Sequence, residues 1–466
     1  MTRREMIRAL LMGAGGLVLS DRLAPAASAN GTLSSEGGLN VLLGRPTAES
    51  VTLSIMASRD CDGRVTWGTH DGSSLGNTPV RLRAGEPTEV IIDALKPDRG
   101  HAYAVQVDGA SALGGRFHTQ RAPGSEFTFT IIADSHLDES TDPRLYEHTL
   151  ANVLADAPDF HIDLGDTFMT DKHPTREAAA AQYLAQRDFF GLIGHSVPLF
   201  LMLGNHDGEA GRYVDGTAGS LAVWSHAQRT SLFPNPLPDG FFSGNEQSDP
   251  HAGLLQDYYA WEWGDALFVV LDPYWYTPRQ RRGDDNWTCT LGEAQYRWLQ
   301  AMLAGSDAAL KFVFIHQLVG GSGRDGRGGV EVASLYEWGG HDPDGSDVFA
   351  QKRPGWPMPI HDLLVAHGVS AVFHGHDHLF AAQELEGIVY LEVPQPAWSG
   401  RENLRLAAEY GYVEGTLLGS SGHLRVSVRD GAATVDYVRS RLATDRRQSY
   451  ANREVAHSYD LPAARQ

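Results

Sequence analysis

Pro198-Leu-Phe-Leu-Met-Leu-Gly-Asn-His-Asp207 is an apolar run that stops at a glycine and hands over to three polar side chains. A run of this length with a glycine stop suits a parallel strand covered on both faces. Open parallel sheets hold their ligands just beyond the carboxyl ends of their strands. Asn205, His206 and Asp207 therefore fall where such folds do chemistry. A Gly-Asn pair also makes an ordinary turn, so the weight of the reading comes from recurrence.

The same grammar returns four times. Phe127–Ala133 runs into Asp134-Ser135-His136, and Phe160–Leu164 into Gly165-Asp166. Lys311–Ile315 ends at His316, and Val369–Phe373 at His374-Gly375-His376-Asp377-His378. In an Asp-x-His or His-x-His triplet the alternate residues can face one side, so two side chains can meet on one ion. Between these strands the pattern becomes helical. Asp142 can cap a helix with Pro143 at its first position, and Thr175 to about Ile193 reads as a second helix. Tyr259–Trp263 and Ala266–Leu271 read as a hairpin. Thr290 and Glu293 have capping-box spacing ahead of Trp298, Leu299, Met302 and Leu303, and Ile360–His367 is a further helix. Residues 208–255 and about 320–357 are glycine-rich and without clear periodicity, as surface insertions would be. Ile388–Val393, Leu424–Val428 and Thr434–Val438 are expected to complete a second sheet.

Ahead of this unit, residues 39–119 change to short β segments broken by turns: Leu39–Leu43, Val51–Met56, Arg64–Trp67, Val80–Leu82, Glu89–Ile92, Ala102–Val107 and Arg116–Thr119. Such a series reads as a β-sandwich, with a structural or docking role and no metal or nucleophile constellation. Gln120–Gly124 is a polar linker. At 466 residues, two domains and an export segment are the natural division. The expected boundaries are 1–29, 30–120, 125–445 and a tail over 446–466. The net charge of −20 argues against a nucleic-acid binder, so an anionic substrate would be drawn by local charge alone. Cys61 and Cys289 are too few for a zinc ribbon or a disulfide framework, and two free thiols are the simpler reading.

The ordered set of strand-end motifs, Gly-Asn-His-Asp and Gly-His-x-His above all, resembles the calcineurin-like metallophosphoesterase superfamily over roughly residues 125–440. The resemblance implies an α/β fold, a four-layer αββα sandwich, here preceded by a small all-β sandwich domain. It implies two metal ions: one held by Asp134, His136, Asp166 and His378, the other by Asp166, Asn205, His316 and His376, with Asp166 bridging. A nitrogen and oxygen set without thiolate suits zinc, iron or manganese and is poor for calcium. Ions held about 3.5–4 Å apart suit in-line phosphoryl displacement by a metal-bridging hydroxide. By the same resemblance His206 touches the phosphate and protonates the leaving alkoxide. Asp207 either orients His206 or only stabilises the turn. The substrate implied is a phosphate ester, monoester slightly ahead of cyclic-nucleotide or other diesters. The reading from another class is a non-catalytic surface protein with a relic site. No membrane span is expected, and no nucleic acid beyond a nucleotide substrate.

Some features depart from relatives or extend beyond the family's ligand set. Relatives called purple acid phosphatases carry a tyrosine three residues after the bridging aspartate; Met169 stands there, which argues against a tyrosinate-bound ferric centre. His374 exceeds the ligand set and is read as a supporting or packing residue, with Asp163 and Asp272 similar. Arg324 and Arg327, in the insertion after His316, are candidates to bind substrate, with Tyr336, Trp338 and His341 behind them. The Leu95-Lys96-Pro97 stretch with Tyr103 resembles the tyrosine corner of fibronectin type III-like modules. Arg3-Arg4 before a mild apolar stretch and Ala27-Ser28-Ala29 look like a twin-arginine export signal, implying a periplasmic or extracellular protein.

Overall fold

The computed structural model describes residues 38–278, 286–323, 325–398, 400, 403–446 and 448–461. The expected export signal lies outside them, as does Arg324.

The first seven strands form two facing sheets. One has the order Leu39–Gly44, Val51–Ala57, Thr88–Ile92; the other Ser74–Leu82, Cys61–Thr69, Gly100–Val107, Ala110–His118. Period-two alternation sets the interior: in Gly100–Val107 every second side chain is buried. Val41, Leu43, Leu53, Ile55, Val65 and Val105 close a shared core. Tyr103 departs from the expected corner. Its hydroxyl donates to the carbonyl of His195 at 2.7 Å, far along the chain. The corner's own Lys96 carbonyl is taken by His101 Nε2 at 3.0 Å and Thr119 Oγ1 at 2.8 Å.

The larger unit has four layers. A six-stranded sheet runs Leu199–Leu201, Phe160–Asp163, Phe127–Ile132, Gly422–Arg429, Ala432–Arg439, Val455–Leu461. An eight-stranded sheet contains Tyr259–Trp263, Ala266–Val270, Leu310–Phe314, Ala371–His374 and Ile388–Glu392 in that order. Between the sheets lie Phe129, Phe160, Phe268, Phe312, Phe314 and Phe373. The ring of Phe129 meets that of Phe268 edge-on at 5.1 Å, a favoured aromatic geometry. The alternate residues face outward. Val269, Val313 and Val372 pack under the helices Glu293–Gly305 and Ile360–Ala366. Ile132 and Leu201 pack under Pro143–Ala155 and Arg176–Gly194. Helix thus covers sheet on both outer faces.

Four local expectations change. Residues 208–255 contain the helix Leu221–Leu232, capped by Ser220, with Ala222, Val223, His226 and Arg229 buried. Its inward face mixes Ala222, Val223 and Leu232 with Ser225, His226 and Arg229, which blurs its apolar stripe. The helix after Thr290 starts at Glu293 with Gly292 as its cap, so Glu293 is too early to close a capping box and lies 3.6 Å from Arg297 instead. The late segments divide: Ile388–Glu392 joins the eight-stranded sheet, while Gly422–Arg429 and Ala432–Arg439 extend the six-stranded one. Within the expected tail, Val455–Leu461 pairs along Ala432–Arg439 as an edge strand. Cys61 and Cys289 form no disulfide.

Arg229 and Glu209 make a buried ion pair, with Nε to Oε1 at 2.6 Å and Nη2 to Oε2 at 2.8 Å. It ties the chain just after Asp207 to the inserted helix. Burial pushes the Glu209 carboxyl up, but the charge of Arg229 more than offsets this and holds it below its ordinary 4.5. Glu209→Gln should destabilise the fold by about 3–5 kcal/mol near neutral pH, because an uncompensated buried cation remains. Since the folded pKa is depressed, the carboxylate's contribution is present above pH 4.5 and lost as pH falls through the folded value. Urea titrations should show the deficit of the variant shrinking in acid.

Candidate metal centre

Three parallel strands of one sheet and two of the other end in the same region. The backbone brings their loops together before any side chain does. Asp134 N donates to Gly165 O at 3.0 Å, His136 N to Asp166 O at 3.2 Å and Gly375 N to His316 O at 3.0 Å. The glycines are required by proximity: a Cβ on Gly204 would sit 2.1 Å from Asp166 N, and one on Gly375 2.7 Å from the Ala133 Cβ. Asp134, His136, Asp166, His376 and His378 all have positive φ, between 42° and 83°. Each such non-glycine residue costs on the order of 1–3 kcal/mol, and such strain concentrates at functional sites.

Two side-chain groups could each hold an ion: Asp134, His136 and His378, and Asp166, His316 and His376. Within each, donor atoms lie within 4.8 Å of one another. The groups adjoin. Asp166 Oδ2 is 3.5 Å from His316 Nε2 and 3.8 Å from His136 Nε2, and Asn205 Oδ1 is 3.2 Å from His316 Nε2. Asp166 thus faces both groups.

Each carboxylate has divided duties. Asp134 Oδ2 accepts from His376 N at 2.8 Å, and Asp166 Oδ1 accepts from His206 N at 2.8 Å. The other oxygen of each points at imidazoles. Asp134 Oδ1 and both ring nitrogens of His136 are buried without a hydrogen-bond partner. Buried polar atoms normally have partners, so this arrangement fits a cation. The imidazoles are oriented from behind. His316 Nδ1 lies 2.8 Å from Leu164 O, and His376 Nε2 2.8 Å from Asp325 O. Each ring is left one nitrogen for a ligand, the pattern that outer partners impose on metal-binding histidines.

The charges agree. Burial opposes ionisation of Asp134, yet the neighbouring imidazoles of His378 and His136 hold its carboxyl well below the usual range. Asp166 is held down likewise by His316 and His206. Burial lowers His316, but Asp166 and Asp134 push it up to about 9. The carboxylates demand positive charge among the rings, which protons or metal ions can supply.

His206, half-buried at the rim, finds a partner that sequence reasoning missed. Its Nδ1 lies 2.9 Å from Asp171 Oδ1, and Tyr213 OH donates to Asp171 Oδ2 at 3.0 Å. Arg212 Nη2 donates to Asn205 O at 2.6 Å and lies 3.6 Å from Asp171. Asp207 does not orient His206. It is fully buried and accepts from Gly204 N at 2.7 Å, Phe168 N at 2.7 Å and Asp166 N at 3.0 Å, tying the two glycine loops together. The available signal for Asp171 was its place in the loop that carries Asp166.

The remaining candidates are supports. Arg327 does not reach outward: Nη1 donates to His376 O at 2.6 Å and Asp377 Oδ1 at 3.0 Å, and its guanidinium covers Tyr410. His374 Nδ1 meets Glu392 Oε2 at 2.7 Å, and burial lowers its pKa to about 3. Asp163 accepts from Gly165 N and the Thr167 hydroxyl, and Asp272 from Tyr274 N and Trp275 N. Tyr336 and Trp338 are core residues, and His341 bonds the Gly339 carbonyl. Met169 is buried with φ 48°.

The profile of the calcineurin-like phosphoesterases matches residues 127–380, more than half of the chain. Among solved structures the chain is similar to PhoD, with TM-score 0.61 and 15% identity over 95% of this chain and 94% of that one. It is also similar to the purple acid phosphatase PPD1 from yellow lupin (Lupinus luteus) seeds, with TM-score 0.59 and 15% identity over 90% of this chain and 73% of that one. At such identity the likeness concerns the fold, including the all-β region ahead of the paired sheets. No curated protein sequence matches. On the profile match, the chain belongs to the calcineurin-like phosphoesterase family.

Proposed function

We propose that the protein is an exported hydrolase of phosphate esters, monoesters ahead of diesters, that works with two transition-metal ions. What supports this most is the approach of Asp166 to both donor groups, 3.8 Å from His136 and 3.5 Å from His316. Asp134, His136 and His378 would hold one ion; Asn205, His316 and His376 the other; Asp166 both. When bound, such ions supply Lewis acidity and lower the pKa of water. Seven side chains carrying two carboxylates leave a pair of dications with net positive charge, which suits an anionic ester on an acidic protein.

The chain's own chemistry centres on His206. Asp171 takes its Nδ1 and so presents Nε2 toward the substrate, where it can deliver a proton to the leaving oxygen. Tyr213 and Arg212 hold Asp171 in place, and the bond from Arg212 to the Asn205 carbonyl keeps ligand and acid in register. Asp207 keeps the Asp166 and Asn205 loops together from beneath. The export reading rests on the N-terminal sequence; among the described residues no helix is long and apolar enough to cross a membrane. The domain boundaries at 30–120 and 125–445 are proposed on the two separate cores, with the strand Val455–Leu461 assigned to the larger unit.

Metal analysis of the purified chain should find about two equivalents, and Asp166→Asn should reduce both. None in the wild type after reconstitution would end the dinuclear reading. Asp171→Asn should slow esters with poor leaving groups by ~10²-fold, within the range of general acid catalysis, while activated aryl esters change little. Adding His206→Ala should then cost no more than His206→Ala alone; equal loss on both ester types would remove proton delivery from the account. Rates on aryl phosphate against bis-aryl phosphate decide the ester class, with the monoester expected to be faster.

A further inference from the structure

The helix Arg176–Gly194 has two faces with different duties. On one face, Gln182 Nε2 donates to His136 O at 2.6 Å and Thr167 O at 3.0 Å. One turn on, Gln186 Nε2 donates to Ser135 Oγ at 3.0 Å and again to Thr167 O at 2.8 Å. The i, i+4 spacing stacks the two amides. Together they hold the Asp134-Ser135-His136 loop and the Asp166-Thr167 loop at one fixed separation. Both amides are buried, and their oxygens are met by His173 Nε2 at 2.7 Å and Tyr146 OH at 3.2 Å.

The N-terminal sandwich grips the other face. Arg187 is fully buried, with Nη2 donating to Ser54 O at 2.8 Å and Nη1 to Ser54 Oγ at 3.1 Å. Asn40 Nδ2 donates to Arg187 O at 3.0 Å. Leu42 joins the core formed by Phe190, Ile193 and Leu199. The backbone just past the helix takes the Tyr103 hydroxyl on the His195 carbonyl. The fit is close: a Cβ on Gly191 would lie 2.4 Å from Asn40 Nδ2, and one on Gly194 2.6 Å from Leu42 Cδ2.

We propose that the β-sandwich is a structural arm of the metal centre, acting through this helix, with Gln182, Gln186 and Arg187 as positioning residues. The inference rests on the metal-centre reading above. Ligand loops in left-handed backbone persist only where the surroundings over-determine them, and the two glutamines are part of that determination. A sandwich that served only as an external docking module would not need a buried arginine shared with the helix that carries them.

The test uses the full chain stripped of metal, with Zn²⁺ and Mn²⁺ affinity read by competition against a chromophoric chelator, alongside thermal melts. Gln186→Leu should weaken binding roughly 10–100-fold, as loss of an outer partner typically does. Arg187→Ala, which touches no proposed ligand loop, should weaken it by roughly tenfold or somewhat less on the same scale. Gly191→Ala should move the same way although alanine favours the helix itself, which keeps the test open if Arg187→Ala folds poorly. Leu303→Ala, under the opposite sheet, serves as a control of reduced melting temperature with unchanged affinity. Unchanged affinity in both Arg187→Ala and Gly191→Ala, or a loss no greater than in Leu303→Ala at equal melting temperature, would overturn the inference while leaving the metal-centre reading intact. A wild type that binds neither ion overturns both.

Discussion

The constraint on which this structure depends is that Asp134 and Asp166 each use one oxygen to bind a neighbouring loop. Asp134 fixes His376 N and Asp166 fixes His206 N. The remaining oxygens are then driven into a buried space shared with His136, His316 and His378. A buried carboxylate without positive charge nearby is costly. Architecture therefore creates a demand for cations at a point where two sheets meet, and the imidazoles are oriented to share it.

That demand is sustained by layers of support. Asp207 ties the Asp166 and Asn205 loops through three backbone N–H groups. Asp377 plays the corresponding part for the histidine-rich loop, accepting from Gly328 N, Tyr412 OH and Arg327. Glu392 joins it by accepting from Asp377 N and meeting His374. These bonds hold the left-handed residues of the donor set in a conformation they would leave if free. The glycines at 204 and 375 allow the close approach that makes the bonds possible.

The N-terminal sandwich belongs to the same system. Its core is separate, yet it reaches the larger unit through Arg187, Asn40, Leu42 and Tyr103 along one helix. The same helix carries both contacts, with Gln186 on the donor loops and Arg187 on the sandwich adjacent in sequence. A region outside the donor set can in this way take part in the geometry of a site.

Much of this was written locally in the chain. The strand-end grammar of Asp134, Asp166, Asn205, His316 and the His376–His378 triplet is a matter of apolar runs, glycine stops and neighbouring residues, and the seven side chains do come together. The four-layer fold follows from strands and helices whose alternation is also local. What the tertiary structure alone decided depends on distance between remote segments. Asp171, not Asp207, partners His206, because the turn after Asp166 folds back over that loop. Arg327 turns inward, because Asp377 lies buried and needs a cation. Tyr103 finds its acceptor on the remote His195 carbonyl, and the strand Val455–Leu461 finds an edge that no periodicity announced. Local pattern determines which residues can meet an ion or form a strand; only the packed chain determines which partner each one meets, since hydrogen bonding and burial are settled by whatever the fold brings within about 3 Å.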